Sequence, residues 1–194
     1  ERYRVIILPE ISRLDSAGIE ALVNASQKGS DIIATNRSLS DNPETLLKLF
    51  GAKAVNLNHD GAGFYLHPDN KAVFKSFAQQ KLLFWKFNLG LFDFSGSDTS
   101  ALAIFTPGRP GPPEIIGGHE PTGYSAMGIK EHNNSKSVLL PMNLGKLYYL
   151  HGYEQHKNIL LDVISFVFPD VHRLIETDVP ERVEVILQKF VKNV

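Results

Sequence analysis

The chain has 194 residues, a formal net charge of −1, 43% hydrophobic and 21% charged residues, and no cysteine. That is the length of one domain, with at most a fragment of a second, and an ordinary globular balance that can fill a core. Near-neutral charge without a basic stripe argues against a nucleic-acid groove, and the missing cysteines exclude a disulfide framework, a thiolate metal site and a cysteine nucleophile.

No apolar run approaches the roughly 18 residues of a membrane span, and no signal-peptide pattern is present. The first residue is Glu1, and a strand follows at once, so we expect a piece of a longer protein. Val5-Ile6-Ile7-Leu8 is a continuous apolar run, which suits a strand covered on both faces of a parallel sheet. Pro9 stops it. Asp15 is placed to cap a helix whose apolar stripe is Ile19, Leu22 and Val23, and Gly29 ends that helix. Asp31 to Thr35 reads as a second buried strand, and the strand-helix-strand spacing fits a right-handed crossover. Asn42-Pro43-Glu44 starts another helix, with Leu46, Leu47, Leu49 and Phe50 on its apolar side and Gly51 at its end.

Gly63 to Pro68 reads as a strand. The aromatic run from Lys81 to Phe94 fits two short strands turning at Asn88-Leu89-Gly90, or a surface facing a partner. Ser100 to Phe105 is another buried strand. The proline- and glycine-rich stretch from Thr106 to Gly123 must be a long ordered loop, and such loops usually make contacts or carry function. Tyr124 to Asn143 has the pattern of a β-hairpin turning near Asn133-Asn134. His151 to Phe168 reads as a helix with Ile159, Leu160, Val163, Ile164 and Val167 inward, closed by Pro169. Beyond it, two alternating segments look like half-exposed strands and the start of a following β domain.

Few constellations carry chemistry. Of the seven histidines, His151 and His156 are five apart and His59 and His67 lie on separate loops; no helical zinc pair is formed, so neither a metal nor another cofactor is expected. G-x-S-x-G is absent, and Ser38 and Ser40 lack the glycines of a nucleophile elbow. Pro9 to Arg13 has no glycine and carries a carboxylate, which disfavours a dinucleotide site. Glu10, Glu120 and Glu154 could each approach the carboxyl edge of the sheet, where ligands of such folds bind, but two carboxyl groups at a defined separation are not established by sequence. His119, Glu120, Tyr124, Tyr148, Tyr149, His151 and Tyr153 are concentrated late in the chain. They suit a carbohydrate or protein interface, and equally the core and rim of a sheet edge.

The stretch from Tyr3 to Asn36 resembles the opening of the β-galactosidase trimerisation domain and its glutamine-amidotransferase-like relatives, which are attached to glycoside hydrolase barrels. Pro112 to Ile129 and Ser137 to Pro169 are similar to the closing half of that family, where a tyrosine-rich link leads into the last helix. The resemblance implies an α/β, flavodoxin-like three-layer α/β/α fold with a mostly parallel sheet over residues 1–170, and a β tail at 171–194 that leads into a β-sandwich. Class I amidotransferases place a cysteine at an elbow after a central strand and a histidine near the last strand. The matching positions here, Thr35-Asn36-Arg37-Ser38 and Leu140-Pro141-Met142-Asn143, hold neither, so covalent acyl chemistry of that type is absent.

The expectation is therefore a non-catalytic accessory domain of a multidomain glycoside hydrolase, working in homo-oligomer or interdomain contact. A retaining barrel elsewhere in the polypeptide is its expected partner and carries the chemistry. Candidate contacts are Glu10, Asn36, Arg37, His119, Glu120, Tyr124, Asn143, Tyr148 and Tyr149. The alternative is a module that holds sugar directly through the 106–124 loop and Tyr148-Tyr149.

Overall fold

The computed structural model describes residues 3–59, 64–77, 79–80, 82–85, 89–105 and 120–169. In chain order the elements are β1 (Val5–Pro9), α1 (Ser16–Gln27), β2 (Asp31–Thr35), α2 (Pro43–Phe50), β3 (Lys53–His59), β4 (Phe64–His67), a 3-10 turn (Lys75–Phe77), β5 (Leu83–Trp85), β6 (Leu89–Asp93), β7 (Thr99–Phe105), β8 (Pro121–Glu131), β9 (Lys136–Leu140), α3 (Leu144–His151) and α4 (Glu154–Val167).

Local chemistry sets the first half. Asp15 holds an extended backbone and accepts the Gly18 N–H at 2.8 Å, capping α1. Pro43 opens α2, where its missing N–H costs nothing, and Gly51 closes it with φ 63°. Leu46, Leu49 and Phe50 are buried, whereas Leu47, expected inward, is 40% exposed. Only a narrow stripe of this short helix meets the sheet.

Both faces of β2 and β9 are covered, and successive residues divide between two cores. Ile33, Val138 and Leu140 pack with Leu144, Leu147, Ile159 and Val163 of α3 and α4. Ile32, Ala34 and Leu139 pack with Leu22 of α1 and Leu46, Leu49 and Phe50 of α2. Each of the Val, Leu, Ile and Phe side chains among them contributes about 1.5–3 kcal/mol on burial, and the two-sided cover explains the unbroken apolar runs of β2 and β9. In contrast, β1, expected to be covered on both faces, is the edge strand and leaves Ile7 43% exposed.

The expected flavodoxin-like, mostly parallel three-layer sheet is not what forms. A seven-stranded sheet runs β1-β2-β9-β8-β7-β4-β5, and β3 and β6 make a separate two-stranded sheet. The larger sheet is mixed and curled into a half-barrel. Of its neighbours, β1-β2 and β2-β9 are parallel, and the pairs from β9 through β8, β7, β4 and β5 are antiparallel. The reason is connectivity. A parallel pair needs a crossover of a dozen or more residues, usually a helix. Between α2 and α3 the described residues contain no α-helix, and β8 turns directly into β9 through Ser135.

The hairpin expected around Asn133-Asn134 is present, with Glu131 opposite Lys136. The two strands expected between Lys81 and Phe94 also form, but not as a hairpin: β5 pairs with β4, and β6 with β3. Leu83, Trp85, Leu89, Leu91 and Phe92 are core, while Leu82 and Phe84 face outward. The helix expected over His151 to Phe168 is present as α4, starting at Glu154; a separate helix, α3, precedes it and ends at His151, with Gly152 at φ 64° between the two. The tail at 171–194 lies outside the described residues.

Candidate functional site

Four of the expected contact residues meet at the carboxyl edge of the parallel strands. Glu10 follows β1, Asn36 and Arg37 follow β2, and Asn143 follows β9 into α3. Asn143 Nδ2 donates to Glu10 Oε2 at 2.7 Å, and the Arg37 guanidinium lies 3.6 Å from Glu10 Oε1. The Asn36 N–H points to the carbonyls of Leu140 and Met142, at 2.8 and 3.1 Å. Glu10 and Asn36 have left-handed backbones, with φ 57° and 54°. Such conformations cost about 1–2 kcal/mol for a residue with a Cβ, and they persist only where the surroundings fix them.

Here the two post-strand loops fix each other. The Ser38 hydroxyl lies 2.8 Å from the Leu8 carbonyl and 2.7 Å from that of Thr35, and it accepts the Ile11 N–H at 3.1 Å. Leu39 donates to the Ile11 carbonyl, Asp41 to that of Ser12, and the Asn42 amide bridges both backbone groups of Leu14. Ser38 is fully buried, so it is a strut and no nucleophile. The struts formed by Ser38 and Asn42 leave no sequence signal, because their bonds to Leu8, Ile11 and Leu14 span nearly 30 residues. The edge thus holds one carboxylate already engaged by an amide and a guanidinium. The described residues bring no second carboxylate into contact with it, and no group of three or more metal-ligating side chains occurs among them.

The other expected contacts lie apart from this cluster. Tyr148 and Tyr149 are on α3, Tyr148 partly buried and Tyr149 88% exposed. Tyr124 on β8 is partly buried and lines, with Val55, Asp93 and Ser100, a cavity of about 500 Å³ between the two sheets. Ser95 bonds both Asp93 oxygens and holds its carboxyl below the usual range. Glu120 is exposed just before β8. His119 and the rest of the 106–119 loop lie outside the described residues. A cavity of about 410 Å³, lined by Gln27, Lys48, Glu131 and His132, opens at the opposite, amino end of the parallel strands.

A second aromatic group, which the sequence showed only as scattered rings, joins α3, α4 and β5. The Trp85 and His156 rings are 4.9 Å apart, Tyr153 meets His156 edge-on at 5.5 Å, and His151 stacks on Tyr153 at 5.6 Å. Burial pushes the His156 imidazole below its ordinary value of 6.5, nearby His151 adds to this, and a hydrogen bond to the Leu147 backbone opposes both. Its folded pKa is therefore the lower one, and the unfolded chain takes up the proton first. Acidification from about pH 7 to 5.5 is expected to lower the unfolding temperature of the native protein more steeply than that of His156→Phe. Parallel curves would show that His156 is not the group responsible.

No protein-family model matches the chain, and no curated protein matches it. Solved structures do. The fold is similar to part of α-L-fucosidase isoenzyme 2 from Paenibacillus thiaminolyticus, with TM-score 0.61 and 13% identity over 87% of this chain and 25% of that one. It is similar to part of a β-galactosidase from Rahnella sp. R3, with TM-score 0.63 and 14% identity over 92% of this chain and 24% of that one. The cytoplasmic protein STM3548 from Salmonella typhimurium matches with TM-score 0.56 and 10% identity, over 85% of this chain and 72% of that one. The chain thus spans about a quarter of the length of the two glycosidases. At these identities the likeness is one of fold. It places glycoside hydrolases among the structural neighbours and lends no support to the amidotransferase part of the sequence expectation.

Proposed function

We propose that this chain is a non-catalytic accessory domain of a carbohydrate-active enzyme, working in homo-oligomer or interdomain contact. The observation that carries the reading is one of proportion. Nearly all of this chain aligns with about a quarter of a fucosidase and about a quarter of a β-galactosidase. In such an enzyme the remaining three quarters would hold the chemistry, and a neighbouring barrel of the same polypeptide is the partner we assign. The carboxyl edge supports the same reading. Glu10 already has both oxygens engaged, and no cysteine is available for covalent acyl transfer. What the edge offers is a fixed set of polar groups, Glu10, Asn36, Arg37 and Asn143, with the Arg37 and Glu10 side chains 44% and 35% exposed.

The test pairs catalysis with association. The chain is expected to turn over neither p-nitrophenyl β-D-galactoside nor p-nitrophenyl α-L-fucoside, and to self-associate with rising concentration in light scattering. Arg37→Ala is expected to change stability by less than about 1 kcal/mol, as exposed ion pairs do, while weakening association about tenfold or more. Turnover that disappears in Glu10→Gln would overturn the proposal. The alternative of direct sugar binding through Tyr148 and Tyr149 is supported by the 88% exposure of Tyr149, and the experiment closing the next subsection separates it.

A further inference from the structure

The cavity between the start of α4 and the 3-10 turn has a chemistry that neither the carboxyl edge nor the fold likeness accounts for. It is shallow, about 450 Å³, and lined among others by Ser76, Gln80, Tyr153, Glu154, Gln155 and Asn158. That volume lies in the lower part of the roughly 300–1,000 Å³ range of small-molecule sites. We propose that it is a carbohydrate-binding site that takes a neutral sugar ring against Tyr153.

Three observations support this. First, the aromatic is both exposed and held. Tyr153 is 51% exposed, yet His151 stacks on it at 5.6 Å and His156 meets it at 5.5 Å. A ring fixed in place presents an apolar platform at little entropic cost, which the C–H face of a pyranose can cover. Second, the polar groups suit hydroxyls. The amides of Gln80, Gln155 and Asn158 each offer a donor and an acceptor, as a sugar hydroxyl does, and the Glu154 carboxylate accepts. Asn158 Nδ2 lies 3.4 Å from Glu154 Oε1, so one amide and the carboxylate are already paired in orientation. The charged group among the described lining residues is the Glu154 carboxylate, which favours a neutral hydroxylated ligand over an anion. Third, the wall is rigid. Asp162, 9% exposed, accepts the Ser76 N–H at 2.9 Å and its hydroxyl at 2.8 Å, tying the 3-10 turn to α4.

The single tryptophan provides the readout. Trp85 lies 4.9 Å from His156, which touches Tyr153. Titration with methyl β-D-galactopyranoside and methyl α-L-fucopyranoside is expected to change Trp85 fluorescence saturably with at least one of them, and saturation-transfer NMR to show contact with the same sugar. Tyr153→Ala and Asn158→Ala should each weaken binding about tenfold or more. Tyr153→Phe, which keeps the ring, should stay within about threefold, and Tyr149→Ala should leave binding unchanged, each variant being checked for native circular dichroism. Absence of saturation with both sugars overturns the proposal. So does binding abolished by Tyr149→Ala and spared by Tyr153→Ala, which would place the sugar on the α3 surface. The choice of these two sugars rests on the accessory-domain reading; the site does not, since loss of self-association with binding intact would sink that reading and leave this one standing.

Discussion

Gly51→Ala is expected to destabilise the protein by about 3–4 kcal/mol, a large share of the roughly 5–15 kcal/mol that holds a domain together. Two costs combine. Gly51 ends α2 with φ 63°, a left-handed conformation that an alanine adopts at about 1–2 kcal/mol. In addition, a Cβ built there would stand 2.0 Å from the Gly96 carbonyl oxygen and 2.4 Å from the Ser97 nitrogen. These are backbone atoms, which cannot rotate away, and overpacking of this kind adds about 1–3 kcal/mol. The corner is also bonded across the contact. Gly96 donates to the Gly51 carbonyl at 3.1 Å, and Ser97 Oγ to that of Phe50 at 2.6 Å. Moving one backbone therefore strains the turn between β6 and β7. Gly152→Ala separates the two costs. Gly152 has φ 64°, but nothing lies within 4 Å of a Cβ added there, so only the conformational cost applies. Urea unfolding of both variants should show Gly51→Ala losing at least about 1 kcal/mol more than Gly152→Ala. Equal losses would mean that the Gly51–Gly96 contact relaxes freely.

What the sequence conveyed depends on how far each signal reaches along the chain. Asp15, Pro43 and Gly51 act on neighbours within four residues, and their caps and stops are where the residue types put them. The apolar run at Asp31–Thr35 likewise belongs to a buried parallel strand, whereas Val5–Leu8 forms a parallel strand at the sheet edge, with Leu8 buried and Ile7 exposed. Topology is a long-range matter. Nothing within the Lys81–Phe94 run records that its first strand adds to β4 and its second to β3, and a polar strand such as β3, Lys-Ala-Val-Asn-Leu-Asn-His, alternates too weakly to be read. The flavodoxin-like fold implied by the family resemblance holds for the first crossover and fails for the rest of the sheet. The antiparallel half follows instead from connections whose described residues hold no α-helix, which the apolar pattern alone does not distinguish from buried parallel strands.

The same distinction governs the candidate site. Glu10, Asn36, Arg37 and Asn143 were legible because the carboxyl ends of parallel strands converge, and they do converge. The tyrosines are close in sequence, and the fold disperses them: Tyr124 to a cavity between sheets, Tyr149 to solvent, Tyr153 to the aromatic group with Trp85 and His156. Gly152 is the cause of the last separation, because its left-handed turn starts a new helix direction between Tyr149 and Tyr153.

Ser38→Ala is the second large effect we expect, about 2–3 kcal/mol, from the loss of one oxygen atom. Ser38 is fully buried, and its hydroxyl serves three backbone groups: it accepts from Ile11 and shares its proton between the carbonyls of Leu8 and Thr35. Alanine fits the space and satisfies none of them. Water has no ready route to a site this enclosed, so the Ile11 N–H in particular loses its partner, and an unsatisfied buried donor costs about 1–3 kcal/mol. Ser40, nearby, serves as control. It is partly buried, its observed bond runs from the backbone N–H to Arg37, and Ser40→Ala should stay within about 0.5 kcal/mol. The consequence extends to the edge itself. Leu8 and Ile11 bracket Glu10, and Thr35 precedes Asn36, so the strut that Ser38 provides holds both left-handed residues in register. Amide exchange at Ile11 and Leu39 should accelerate in Ser38→Ala more than exchange in the centre of β9. Self-association, if it uses Glu10 and Arg37, should weaken at concentrations of denaturant too low to unfold the chain. A loss below about 0.5 kcal/mol with unchanged exchange at Ile11 would show instead that the crossed loops, through Leu39, Asp41 and Asn42, hold the edge without the hydroxyl.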